Sequence, residues 1–299
     1  MVALSYQGVG AVNRVGRFLL VSQLKRGSQS TTYKGYDPET QQFVIVKIAT
    51  DELVSSEDAA QKIAREAEIY AANRHENIVA IVDFGNEGFH PYLVLEYIEG
   101  ATLRQLVATR HGFPVSIVLA CLADILQGLA KLHGSGLIHR DIKPENLILS
   151  SKGIVKICDF DLASGQIATA ENTAGLTGSA GYMAPEVIYG KSISPRSDIF
   201  SLGVLTYELL TASRPFQAAT PTAEIQAIVN REPLPANRLN KETPDALLVF
   251  ISRCLEKDPR QRLQDAGQAL TLLRDCFSFP PENERRQLLS RWLNNPDAC

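Results

Sequence analysis

The order of apolar and polar positions changes character near residue 98. Before it the pattern is short and strand-like. Phe18-Leu19-Leu20-Val21 and Phe43-Val44-Ile45-Val46 are apolar runs, and Thr31-Thr32-Tyr33 between them is β-branched and aromatic. Asp37-Pro38-Glu39-Thr40 carries the Asp-then-Pro order of a type I turn, so this stretch predicts an antiparallel meander. Ile63, Ala67 and Tyr70 recur at helical spacing and predict a helix over roughly 57–72. Two more strands are predicted over Val79–Phe84 and Tyr92–Tyr97.

Beyond Glu99-Gly100 helical periods dominate. Val118, Cys121, Leu122, Ile125, Leu129 and Leu132 hold one helical face that stops at Gly134 and Gly136. The most apolar stretch, Val115 to Leu132, is broken by Asp124 and Gln127 and falls short of a membrane span. Asp198 to Leu210 is apolar nearly all round, which predicts a helix buried at the centre of a domain. Shorter helices are expected over 222–230, 245–256 and 262–276. A last one over 282–295 places Leu288, Leu289, Trp292 and Leu293 on one face, expected to pack on the second unit in preference to forming a dimer or partner surface.

The architecture expected is α+β in two lobes. A small antiparallel β-sheet lobe with one main helix (17–98) follows an N-terminal arm (1–16). A hinge near Ile98-Glu99 leads to a larger, mainly helical lobe (99–280) and a C-terminal helical tail (281–299). A cleft between two such units is a common place for a ligand.

Composition narrows the function classes. With 299 residues, 45% hydrophobic and 21% charged, the chain is neither a disordered, a collagen-like nor a coiled-coil sequence. Thirty Lys and Arg against 33 Asp and Glu leave a net charge of −3, which gives no electrostatic reason to expect nucleic acid as a partner. Cys121, Cys158, Cys254, Cys276 and Cys299 are widely spaced with no CxxC pair, and read as thiols in a reducing compartment. The first cation is Arg14, so no basic segment precedes an apolar one. The expectation is a cytoplasmic protein without a membrane partner.

The strongest chemical signal is His139-Arg140-Asp141-Ile142-Lys143-Pro144-Glu145-Asn146, leading into the strand Leu147-Ile148-Leu149. Eighteen residues after Asp141 comes Asp159-Phe160-Asp161, preceded by Val155-Lys156-Ile157. Gly178-Ser179-Ala180-Gly181-Tyr182-Met183 and Ala184-Pro185-Glu186 follow. In these motifs the chain resembles the eukaryotic-type (Hanks-type) protein kinases, their Ser/Thr branch in its bacterial form, over about residues 17–276.

The resemblance implies ATP and Mg²⁺ as cofactors, with Mn²⁺ as the alternative metal, and protein substrates. Phosphoryl transfer needs a hydroxyl held in line with a γ-phosphate whose oxygens are neutralised. Asp141 is expected to accept the hydroxyl proton and orient the nucleophile, and Lys143 to reach the γ-phosphate. Asn146 and Asp159 offer hard oxygen ligands suited to Mg²⁺. By the same resemblance Lys47 binds the α/β-phosphates. Glu66 is its natural counter-ion, with Glu68 pointing about 200° away around the helix. Lys25, Gly27 and Ser30 fall on the three positions of the family's glycine loop, and only Gly27 keeps the glycine. Leu95 would be the gatekeeper, the backbones of Glu96 and Ile98 would meet adenine, and Glu99 would lie near the ribose.

Regulation and support are implied in the same way. Arg140 resembles the basic pocket for a phosphorylated activation loop, in which Thr173 is the first candidate, Thr177 the second and Thr169 a third. Glu186 with Arg262, and Asp198 at the head of the central helix, resemble the family's structural pair and its brace of the catalytic loop.

Asp161 stands where the family has glycine, and two expectations follow. Either it biases Asp159 toward its metal-bound state, or its extra carboxylate impairs nucleotide chemistry and leaves a nucleotide-binding pseudokinase scaffold. The principal expectation is a Ser/Thr protein kinase that phosphorylates its own activation loop and takes its input from a regulatory partner or a homodimer. A small-molecule kinase on the same fold is disfavoured by the intact Tyr182–Glu186 segment.

Overall fold

The computed structural model describes residues 14–27, 30–50, 58–160, 163–165 and 180–295. They form two compact units, one from the chain up to 74 together with 79–98, the other from 75–78 together with 99 onward. The short segment 75–78 joins the second unit for a physical reason. Ile78 forms a parallel bridge with Ile157, Asn77 Nδ2 donates to the Val155 carbonyl at 3.0 Å, and the Asn77 carbonyl accepts Ile157 N–H at 2.9 Å.

The first unit contains β1 (Arg14–Val15), β2 (Phe18–Arg26), β3 (Ser30–Asp37), β4 (Gln42–Ala49), α1 (Asp58–Ala72), β5 (Ile81–Glu87) and β6 (His90–Glu96). The strands make one antiparallel sheet in the order β1-β2-β3-β4-β6-β5. Arg14 and Val15, expected in an arm, instead pair with Leu19 and Phe18 at the sheet edge. Alternation along the strands buries Val15, Phe18, Val44, Val46, Tyr92 and Val94 together, with Leu20, Tyr33 and Ile48 packed against them. The predicted turn after Asp37 is pinned by that residue. Its buried carboxylate takes Arg17 Nε and Nη2 at 3.2 Å each and Glu39 N–H at 3.0 Å.

The second unit runs through β7 (Gly100–Thr102), α2 (Leu103–Arg110), α3 (Val115–Gly134), β8 (Leu137–Ile138), β9 (Leu147–Ser150), β10 (Val155–Ile157) and β11 (Ser164–Gly165). It continues with α4 (Pro185–Ile188), α5 (Pro195–Thr211), α6 (Pro221–Asn230), α7 (Asp245–Leu255), α8 (Ala266–Cys276) and α9 (Glu282–Asn294). Strands β10, β9 and β7 form a three-stranded sheet in that order, and β11 pairs with β8. α5 starts at a reciprocal Ser194/Ser197 capping box with Pro195 in its first turn, and its residues from Ser197 to Leu210 are buried, as the all-round apolar pattern predicts.

The expectation that the apolar stretch from Val115, broken by Asp124 and Gln127, falls short of a membrane span is corrected. α3 has 20 residues and is, by length and composition alone, apolar enough to cross one in spite of those two residues. Here it is mostly buried inside the protein. Its one acidic residue, Asp124, is buried and paired with Arg285 of α9 at 3.0 Å. α9 itself seats Leu289 and Trp292 in the core. The Trp292 ring lies 4.5 Å from that of Phe113 in an edge contact, and Arg110 lies over it while donating to the Trp292 and Leu293 carbonyls. Those carbonyls lie in the last turn of α9, where no helical donor remains to bond them.

Candidate active site

In the first unit the expected pair of Lys47 and Glu66 sits on β4 and α1. Lys47 is paired in register with Thr32 of β3 and Leu93 of β6, which fixes its backbone in mid-sheet. Its Nζ donates to Glu66 Oε1 at 3.0 Å, and both side chains are buried. A lone buried ammonium is costly, and the Glu66 carboxylate offsets part of that cost. Glu68, the alternative counter-ion, is exposed.

Lys25 lies exposed on β2, and Gly27 N–H closes the β2–β3 hairpin on the Ser30 carbonyl at 2.9 Å. Leu95 is buried on β6. Glu96 commits both its backbone N–H, to the Ala80 carbonyl at 2.9 Å, and its carboxylate, to Ala80 N–H at 2.7 Å. Ile98 is half-buried at the end of the first unit.

In the second unit the segment 139–146 folds around one carboxylate. Asp141 Oδ2 accepts Lys143 Nζ at 2.5 Å and Asn146 Nδ2 at 2.8 Å, and Asn146 Nδ2 also reaches the Asp141 carbonyl at 2.9 Å. Pro144–Asn146 is a single 3₁₀ turn that delivers Asn146 to the start of β9. The antiparallel pairing of β9 with β10 then brings the chain back, and Cys158 N–H donates to the Asn146 carbonyl at 2.9 Å. Asp159 follows immediately with φ +69, a left-handed conformation that aspartate tolerates better than most residues. Glu99 is exposed at the start of this unit and accepts Ser151 N–H at 2.7 Å.

The loop is held from beneath. Asp198, fully buried at the head of α5, accepts His139 N–H and Arg140 N–H at 2.8 Å each and His133 Nε2 at 2.9 Å. Burial pushes the Asp198 carboxyl up, but these donors outweigh it and hold the group below the ordinary carboxylate range. Arg140 has φ +70 and is half-buried, and burial lowers its guanidinium against the pull of Asp198. The buried His139 ring lies 5.0 Å from Phe160 and is pushed toward its neutral form by burial.

Glu186 and Arg262 form a two-pronged pair at 2.7 and 2.8 Å. The other guanidinium hydrogens go to the Glu256, Arg196 and Lys257 carbonyls. Asp161, Thr169, Thr173 and Thr177 lie outside the described residues.

Three supporting sets escaped the sequence reading. Asn77, as above, holds β10. Asp124, the polar break in α3, accepts Val155 N–H at 2.9 Å as well as Arg285. Arg104 of α2 donates to Glu145 at 2.7 Å, Glu208 at 2.8 Å and the Tyr182 hydroxyl at 2.5 Å, and Tyr182 in turn donates to Glu208. An acidic residue inside an apolar helix was the only sequence signal for any of these.

The protein kinase domain model matches residues 18–273, and the chain belongs to the protein kinase family, in its bacterial Ser/Thr form. It is 34% identical over 268 residues to serine/threonine-protein kinase PknL of Mycobacterium tuberculosis, covering 88% of this chain and 67% of that one. Similarity to PknB of Mycobacterium leprae is 33% over 273 residues, covering 89% and 44%. A probable serine/threonine-protein kinase of Clostridium perfringens is 31% identical over 255 residues, covering 85% and 37%. The chain therefore spans between 37% and 67% of the length of these relatives.

Membership implies ATP and a divalent metal. The donors present fit such a cation. With its amide nitrogen committed to Asp141, Asn146 is left with a carbonyl oxygen to offer, and Asp159 supplies a carboxylate. Two hard oxygens suffice for an ion that keeps waters and phosphate oxygens in the rest of its shell.

Proposed function

We propose that this chain is a Ser/Thr protein kinase domain, transferring the γ-phosphoryl of Mg·ATP to Ser or Thr hydroxyls of polypeptides. The observation that carries this reading is the Asp141 carboxylate, held by Lys143 and Asn146 on one oxygen. A carboxylate fixed in this way can orient an incoming hydroxyl and take its proton as the bond to phosphorus forms. Lys143, drawn from Asp141 to the γ-phosphate, acts as a point charge on the transferred group. Lys47, held by Glu66, positions the α/β-phosphates, and Gly27 with Lys25 belongs to the loop that covers them. Asn146 and Asp159 would hold Mg²⁺, which when bound would neutralise charge on the phosphate oxygens. The names of the relatives and Lys143 together favour Ser/Thr over Tyr.

Activity is controlled through phosphorylation of Thr173 or Thr177, with Arg140 as the phosphate's partner. Glu186–Arg262 and Asp198 carry structural roles. A reducing, cytosolic setting is supported by Cys121 and Cys254, buried thiols that burial pushes up.

The deciding experiment is a radiolabelled-ATP assay with a generic basic protein, comparing parent with Asp141→Asn. A loss of about 10²–10⁴ in kcat at unchanged melting temperature is expected. Equal phosphate transfer by the two proteins would overturn the reading, and nucleotide binding by the parent without transfer would favour the pseudokinase scaffold. Mass spectrometry of the ATP-treated parent should find phosphate on residues 169–177.

A further inference from the structure

α9 lies beyond residues 18–273, the stretch matched by the family model, so family membership assigns it no role. It grips the hairpin formed by β9 and β10 from outside. Arg285 donates to Asp124 Oδ1 through Nη2 at 3.0 Å and Nε at 3.3 Å, while Asp124 Oδ2 accepts Val155 N–H at 2.9 Å. Burial pushes the Asp124 carboxyl up, and the Val155 N–H and the Arg285 guanidinium oppose it. At the hairpin's turn Ser290 Oγ donates to the Ser151 carbonyl at 2.7 Å. Gly153, at φ +74, comes so close to α9 that a Cβ there would sit 1.9 Å from the Arg286 carbonyl oxygen. Arg286 also bonds Glu76 at 2.6 Å, next to the Asn77 that holds the Val155 carbonyl. Both backbone groups of Val155 are thus bonded to side chains, Asn77 on one and the Asp124–Arg285 pair on the other.

The hairpin's open end is where the chemistry lies. Asn146 immediately precedes β9, Asp159 follows two residues after β10, and the Cys158 N–H to Asn146 carbonyl bond joins the two sides. A hairpin carries a shift of register or twist along its length, since its two strands share one ladder. We infer that α9 is a positioning element for this hairpin, acting through Arg285 and Asp124 on Val155 to keep Asn146 and Asp159 in the relation needed to share one divalent cation. The metal role of those two residues rests on the function proposed above; the clasp itself does not.

The test uses the full chain with Arg285→Gln, Arg285→Lys and Ser290→Ala. Three readouts are taken on each: the Mg²⁺ concentration for half-maximal turnover at saturating ATP, the melting temperature, and hydrogen exchange of amides 147–158. Arg285→Gln is expected to raise the half-saturating Mg²⁺ about three- to tenfold, as loss of a group supporting metal ligands does, with a smaller change in the KM for ATP. Hairpin exchange should accelerate by about tenfold as local opening becomes easier. Arg285→Lys should fall between Gln and parent. Ser290→Ala, which strands no buried charge, should move the same readouts in the same direction if Arg285→Gln fails to fold. A lowered melting temperature with unaltered metal dependence, or unaltered hairpin exchange, overturns the inference. If the parent shows no turnover, the kinase reading fails instead, and the clasp stands or falls on exchange alone.

Discussion

Buried charge in this protein is held by donors whose geometry fixes protonation. His133 shows it: its Nδ1 accepts Ala266 N–H at 3.1 Å, so its proton must sit on Nε2, where it faces Asp198. Lys257 is the opposite case. It donates to the Ile228 carbonyl at 2.8 Å and lies 3.7 Å from the centre of the Phe216 ring, contacts that favour charge. Burial, reinforced by Arg262 and Arg231 and opposed by the Glu232 and Glu256 carboxylates, nonetheless pushes its pKa down from 10.5 to about 8. The unfolded chain then binds more protons than the folded one between those two values, so this residue makes stability rise with pH from about 8 to about 10.5. Side-chain NMR of labelled lysines should show one titrating near pH 8 that disappears in Lys257→Met; titration of all lysines above pH 10 would contradict it.

Elements with a strong period were legible: α1, α3 and α5 appear within a few residues of their predicted spans, because their apolar faces repeat over three or more turns. β7 and α2 were missed. Gly100–Arg110 buries only Leu103, Leu106 and Val107 in its helix, and a helix this short leaves too few repeats to read. Its start is set by Thr102 and Gln105, which form a capping box visible only once the backbone is in place. The turn between β9 and β10 is a further case where packing against a distant helix sets the residue. Gly153→Ala meets both a left-handed φ and the Arg286 carbonyl, and should destabilise the protein by about 1–3 kcal/mol in urea titration. A midpoint equal to the parent's would show that α9 yields there without cost.

At the scale of the whole molecule, stability and site share a few long-range pairs. Arg262 and Glu186 are 76 residues apart, both buried, and joined through both carboxylate oxygens. Cutting one side leaves a buried charge, so Arg262→Met should cost about 3–5 kcal/mol by chemical denaturation. The double change Arg262→Met with Glu186→Leu should recover much of that loss, since no charge remains stranded. Equal loss in single and double variants would show that the cost lies in packing against Phe200, over which the guanidinium sits at 4.9 Å.

What the sequence determined alone was the kind of each long element, the family, and which polar residues share its loops. Apolar period is a local property, and so is the spacing that puts Asp141, Lys143 and Asn146 on one short loop. What only the tertiary structure decided was which charges meet. Asp124 read as a flaw in an apolar helix, and only folding brings Arg285, 161 residues later, against it. Arg104 likewise finds Glu208 across 104 residues. Such pairs leave no periodic trace, because a buried charge selects its partner by position in space and not by distance along the chain.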